Sequence, residues 1–162
     1  MAVVEVKING LAVDQQAKSH VVILKEKDGE RVLPIWIGPA EAQAIARELA
    51  GQRFQRPLTH DLIALIIEGL KARVTRVVIA DLKDNTFFAQ LLVDREGEVV
   101  VVDARPSDSL AVALRCGADI FVNEKLLSEP GEQEEPTPEQ KAQELRNFLE
   151  NLDPEDFGKY EP

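Results

Sequence analysis

The chain has 162 residues, 44% of them hydrophobic, and a net charge of −10 at neutral pH. That length suits one domain with a sizeable core, and no apolar run approaches the roughly 20 residues a bilayer span requires. The opening MAVVEVKING lacks a basic segment followed by an apolar one, and the lone Cys116 excludes an intrachain disulfide, so a cytoplasmic protein is expected.

The charge is uneven. Residues 129–162 carry eleven acids and three bases, whereas residues 1–128 carry 18 acids and 16 bases. The body is therefore close to neutral, and the whole-chain charge does not argue against a polyanionic partner.

EVKINGLAVD and HVVILKEKDG alternate as strands do, with Asp28-Gly29 as a hairpin turn. ERVLPIWIG is a third strand, and Pro34 inside it predicts a sheet edge or a bulge. PAEAQAIARELAG then takes helical periodicity, with a stop at Gly51. RPLTHDLIALIIEGLKARV predicts a central helix over 59–72, with Thr59 as N-cap. Its apolar face of Leu62, Ile63, Ile66, Ile67 and Leu70 is broad enough to predict deep packing.

The first pattern then returns. RVVIADL and TFFAQLLVD are strands, Glu96-Gly97 is a turn, EVVVVDAR is a third strand, and PSDSLAVALRCG is a helix ending at Gly117. The four consecutive valines read as a buried strand. Aligning Pro39 with Pro106 places Glu41 on Asp108 and Ala44 on Ala111. The predicted fold is α+β: duplicated β-β-β-α units over 3–51 and 74–117, forming a mixed or antiparallel sheet packed with helices. DIFVNEKLL adds a short strand and a helical turn, which closes a domain over 1–128. A Pro/Glu-rich linker over 129–138 is too polar to order itself. The acidic tail over 139–162 carries a helix, opened near Thr137-Pro138, that lines up Leu145, Phe148, Leu149 and Leu152 for docking on the body or on a second subunit.

Four places invite chemistry. At Asp103-Ala-Arg105-Pro-Ser107-Asp108, capping by Ser107 and the helix dipole account for Ser107 and Asp108. They leave Asp103 and Arg105 unexplained, and those two types suit a divalent ion and a phosphate. His60-Asp61 is either a polar helix start or a proton-transferring pair. With two histidines and one cysteine in the chain, a catalytic zinc site is not expected. Arg47, Arg53, Arg56, Lys71, Arg73 and Arg76 give residues 47–76 an excess of three positive charges, either a solvated face or a landing surface for an anion. Trp36 and Phe87-Phe88 have flat faces that bases stack on, although the alternation of Ile35, Trp36 and Ile37 fits packing better. Glu41, at a helix start matching Asp108, completes the set. Cys116 reads as a small apolar core residue.

These stretches, namely LPIWIGPAEAQAIARELAG, RPLTHDL, TFFAQL and DARPSDSLAVALR, resemble the bifunctional nuclease domain family of bacteria and plants. The likeness runs from residue 3 to about 127, and FLENLDPEDF is similar to the ends of bacterial members. The resemblance implies an α+β fold, oligomeric assembly and nuclease activity on RNA and DNA. The family's shared polar positions fall on Glu41, Arg56, Thr59, His60, Asp61, Asp103, Arg105, Ser107 and Asp108.

The expected activity is phosphodiester hydrolysis of nucleic acid. His60, Asp61, Asp103, Arg105 and Asp108 would be catalytic, and Arg53, Arg56, Thr59 and Ser107 would bind substrate. Asp103, Asp108 and Glu41 would hold Mg²⁺ or Mn²⁺. A homodimer or larger homo-oligomer, without membrane attachment, is expected. The competing expectation is a non-catalytic nucleic-acid- or anion-binding regulatory module, whose same residues form a salt-bridge network joining the repeats.

Overall fold

A computed structural model describes residues 1–14 and 19–131 of the chain. The amphipathic helix and most of the acidic linker expected after residue 131 lie outside the described residues.

Three strands come first: β1 (Val3–Asp14), β2 (Ser19–Glu26) and β3 (Val32–Ile37). The helix α1 (Pro39–Leu49) follows them, and then α2 (Thr59–Gly69). The pattern repeats with β4 (Ala72–Lys83), β5 (Thr86–Arg95), β6 (Glu98–Ala104) and α3 (Pro106–Cys116). The short β7 (Asp119–Asn123) and a 3₁₀ turn at Glu124–Leu126 follow.

All seven strands form one sheet in the order β3-β2-β1-β7-β4-β5-β6. Two antiparallel meanders therefore flank β7, which pairs antiparallel with β1 and parallel with β4. The fold is the expected α+β architecture of duplicated units on a mixed sheet. Pro34 lies on the edge strand β3, where its missing N–H disturbs the sheet least. Glu96 and Gly97 both adopt positive φ, at 53° and 89°, which gives the β5–β6 hairpin the turn that matches strand twist.

The helices cover one face. α3 sits centrally and packs on β4, β5 and β7, with α1 and α2 both against it. Leu110, Ala111, Val112 and Ala113 of α3 are buried among Val22, Leu24, Ile45, Val77, Ile79, Ala89 and Val122. Small residues on α3 let it sit close to the strands, which is why the repeat of Ala44 and Ala111 lies at the helix contacts.

Two expectations of burial fail here. α2 has no buried residue; only Ile63 and Ile67 pack against the core, while Ile66 is 52% exposed and Leu62 and Leu70 are also open. Its apolar arc is wider than the surface available, because α3 already occupies the centre of the sheet. The valine run of β6 is not a buried strand either. β6 is the outer strand, and all four valines are exposed, Val99 at 59% and Val101 at 56%. An unbroken apolar run marks burial only when other layers cover both faces of the sheet, and at this outer strand neither face is covered.

Candidate active site

Each helix begins with the same arrangement, an acid at its third position: Glu41 in α1, Asp61 in α2 and Asp108 in α3. A carboxylate there faces the free N–H groups and the positive end of the helix dipole. Packing of α1 and α2 against α3 brings two of these starts toward the third.

The cluster centres on Asp108. Its Oδ1 lies 2.9 Å from His60 Nε2, and Arg105 Nε donates to its Oδ2 at 2.8 Å. The same guanidinium reaches across to the first repeat, with Nη1 at 3.2 Å from Glu41 Oε1. Hydrogen bonding from His60, then the Arg105 guanidinium, draws the Asp108 carboxyl down to about 2 against the opposing effect of burial. The two carboxylates hold Arg105 cationic and raise its pKa. Arg105 remains 65% exposed at its side chain, whereas that of His60 is 14% exposed.

Ionised Asp108 at Nε2 selects the tautomer that carries its proton on Nε2. Nδ1 then keeps a lone pair that can accept a proton. This is a histidine oriented by a carboxylate, the arrangement that general-base chemistry requires.

One residue further along α2, Asp61 faces the other way. Its Oδ2 accepts from the Leu58 backbone N–H at 2.9 Å, and its Oδ1 accepts from Arg115 Nε at 2.6 Å. These bonds, the Leu58 N–H first, lower the Asp61 pKa. Arg115 is 6% exposed and also donates to the carbonyls of Ala111 and Ala44, tying α3 to both neighbouring helices. Asp61 and Arg115 line an open cleft of about 380 Å³ with Arg47, Arg53, Phe54 and Arg56. The Arg47 guanidinium stacks over the Phe54 ring at 5.4 Å, and Arg53 lies 3.6 Å from Glu48. Arg56 is exposed and makes no ion pair among the described residues.

The structure thus brings together His60, Asp108, Arg105 and Glu41, and separately groups Asp61, Arg53 and Arg56 in the adjoining cleft. Asp103 joins neither group. It pairs in register with Gln90 of β5, whose neighbours Ala89 and Leu91 point into the core, so Asp103 faces the side of the sheet without helices. Among the described residues no three His, Cys, Asp or Glu side chains gather into a group able to hold a metal ion. Asp103, Asp108 and Glu41 therefore do not form a ready ion cage: strand alternation turns the first away, and Arg105 already bridges the other two.

The cap assignments also shift. Arg105 occupies the N-cap of α3, while Ser107 is buried at the second helical position and Ser109 Oγ donates to the Arg105 carbonyl. Leu58, not Thr59, is the N-cap of α2, and Thr59 is exposed at its first helical position. Arg115 was missed in the sequence; its signal was a guanidinium inside an apolar helical pattern, which reads most simply as a partner of the helix dipole. Cys116 is half-buried, and burial raises its thiol pKa, as a packing residue requires.

A helix-backed mixed sheet that gathers a carboxylate-oriented histidine and guanidinium groups at converging helix starts defines an α+β domain suited to an anionic ligand. The bifunctional nuclease domain model matches residues 22–135, and the chain belongs to that family. It is 43% identical to an uncharacterised protein of Mycobacterium tuberculosis, over 94% of this chain and 97% of that one. It is 26% identical to bifunctional nuclease 1 of Oryza sativa subsp. indica and 27% identical to bifunctional nuclease 1 of Arabidopsis thaliana. Those matches cover 72% and 71% of this chain but 36% and 37% of the plant proteins. Among the described residues no helix is long and apolar enough to cross a membrane.

Proposed function

We propose that this protein hydrolyses phosphodiester bonds of RNA, DNA or both. The observation that carries the proposal is the 2.9 Å contact of His60 with an Asp108 carboxylate that Arg105 also holds. Family membership and the named plant relatives support the reaction class. His60 Nδ1 takes a proton from the attacking water as its oxygen bonds to phosphorus, and Asp108 stabilises the imidazolium that results. The bond from phosphorus to the leaving nucleotide oxygen breaks, and that oxygen is protonated from solvent. The exposed Arg105 end stabilises charge growing on the phosphoryl oxygens. Arg56 and Arg53, in the adjoining cleft, hold neighbouring phosphates along the strand. Water as the nucleophile makes no demand for a 2′-hydroxyl, so both nucleic acids fit this chemistry.

A second reading has its own observation. Arg105 joins Glu41 of the first repeat to Asp108 of the second, an ion network that fastens the two halves and needs no turnover. On that reading the arginine cleft only binds.

Cleavage of labelled single-stranded RNA and DNA by the purified full chain separates the two, with EDTA, Mg²⁺ and Mn²⁺ as parallel arms. Hydrolysis predicts that His60→Ala and Asp108→Asn each lower kcat by about 10²-fold or more, while Arg56→Ala chiefly raises KM. Asp103→Asn reports whether the strand-end carboxylate takes part. Binding without cleavage in every metal arm favours the network, and full cleavage by both His60→Ala and Asp108→Asn removes the dyad from the mechanism.

A further inference from the structure

The two edges of the sheet are finished differently. At β3, Pro34 removes a donor, and Val32 exchanges backbone hydrogen bonds with Ser128 at 2.9 and 3.0 Å, which covers part of the edge. At β6 none of these devices is present among the described residues. Its register with β5 runs unbroken from Glu98 to Ala104, and the strand contains no proline, lysine or bulge. Soluble proteins ordinarily protect such an edge, because its free N–H and C=O groups template another strand.

We propose that β6 is the seam of a homodimer, in which a second copy adds its own β6 antiparallel across a two-fold axis near Val101. Three arguments on the molecule favour a second copy as the occupant. The first is hydrogen-bond geometry. In a two-residue hairpin of this type the closing pair, Arg95 and Glu98, exchanges both bonds, so the odd-numbered residues Val99, Val101 and Asp103 turn their N–H and C=O groups outward. A two-fold axis perpendicular to the sheet then sets Val101 against Val101 of the partner, and Val99 against Asp103 of the partner. About six backbone hydrogen bonds form in this register.

The second argument is charge. Glu98 meets Ala104 of the partner and Asp103 meets Val99 of the partner, so no like charges are directly opposed. A register shifted by two residues sets Glu98 against Val102 of the partner and draws the turn residue Gly97 into the ladder, which loses bonds.

The third is the neighbouring surface. On the helical wheel Leu62, Ile66 and Leu70 lie on the flank of α2 turned away from the His60–Asp108 contact with α3, exposed within the helix layer. Val100 and Val102, in register with the core-facing Val93 and Leu91, point to that same layer. Pairing of β6 therefore continues the sheet and sets Val100 and Val102 of the two copies side by side on its helix-bearing face.

The register has a consequence for the site. Gly97 of the partner falls beside Arg105, so the partner's Glu96–Gly97 turn borders the His60–Asp108 cluster. The dimer itself does not depend on the nuclease reading.

Light scattering on the full chain at tens of micromolar tests the seam, with twice the 18.0 kDa chain mass expected. Val101→Lys sets two ammonium groups face to face in the dimer but lies on the surface of a single copy. It should return the monomer mass with an unchanged circular dichroism spectrum, and its melting temperature should no longer depend on protein concentration. In a Cys116→Ala background, oxidised Val101→Cys should give a disulfide dimer, since directly paired residues sit within bridging distance; Val100→Cys should lag it at least tenfold. A wild-type monomer, or a dimer that survives Val101→Lys, overturns the seam. Faster crosslinking at position 100 than at 101 overturns the register.

Discussion

Asp108→Asn is the substitution with the most quantitative consequence. The wild-type carboxylate accepts from His60 and Arg105, and its folded pKa of about 2 lies below an ordinary 3.8. A lowered folded pKa contributes stability that is fully present above the unfolded value, near pH 4, and is lost as pH falls through the folded value, near 2. The displacement corresponds to at most about 2.5 kcal/mol; the side chain is partly open to solvent, and screening brings the expected figure to about 1–1.5 kcal/mol. Urea melts of wild type and Asp108→Asn should therefore differ by that amount between pH 5 and 7, and the curves should converge as pH falls from 4 to 2. In thermal melts at neutral pH the same difference appears as a shift of a few degrees. A gap that stays constant from pH 7 to 2 would show that the asparagine acts through packing and that the ionised carboxylate is not held by His60 and Arg105.

Arg115→Met should destabilise by about 3–5 kcal/mol in the same urea melts, because it leaves the Asp61 carboxylate and the Ala111 and Ala44 carbonyls without their buried donor; a loss below 1 kcal/mol would contradict that role. Leu110→Ala, at a fully buried site against the sheet, should cost about 2–5 kcal/mol, and Leu62→Ala on the open flank of α2 should cost under 1 kcal/mol in a dilute, monomeric sample. Gly117→Ala should cost about 1 kcal/mol, since the residue ends α3 at φ 63°; an unchanged melting curve would argue against that conformation. Arg105→Lys keeps the charge but loses the fork that spans Glu41 and Asp108. It should impair cleavage at least tenfold while leaving the far-UV spectrum intact, and wild-type turnover by this variant would remove the guanidinium from the chemistry.

Much of the architecture was written in local pattern. Period-2 alternation, the Glu96-Gly97 turn, Pro34 at an edge, the helix stop at Gly117 and the twice-repeated order of elements all depend on chemistry within a few residues, so they survive without knowledge of the fold. The same holds for the acid at the third position of each helix, which each short stretch supplies on its own. Capping was less legible, because Ser107 and Thr59 are good cap residues that the chain places one or two positions inside the helix.

Tertiary structure decided the rest. The meeting of His60 with Asp108 joins residues 48 positions apart, and no periodicity encodes such a contact; it follows from α3 lying between α1 and α2. The aspect of Asp103 depended on pairing with Gln90, since one step along a strand reverses the face. Whether VVVV was interior or edge, and whether the wide apolar arc of α2 was covered, depended on how many neighbours the finished sheet supplies. Composition measures how much apolar surface a segment owns, and only assembly determines how much of it finds a partner.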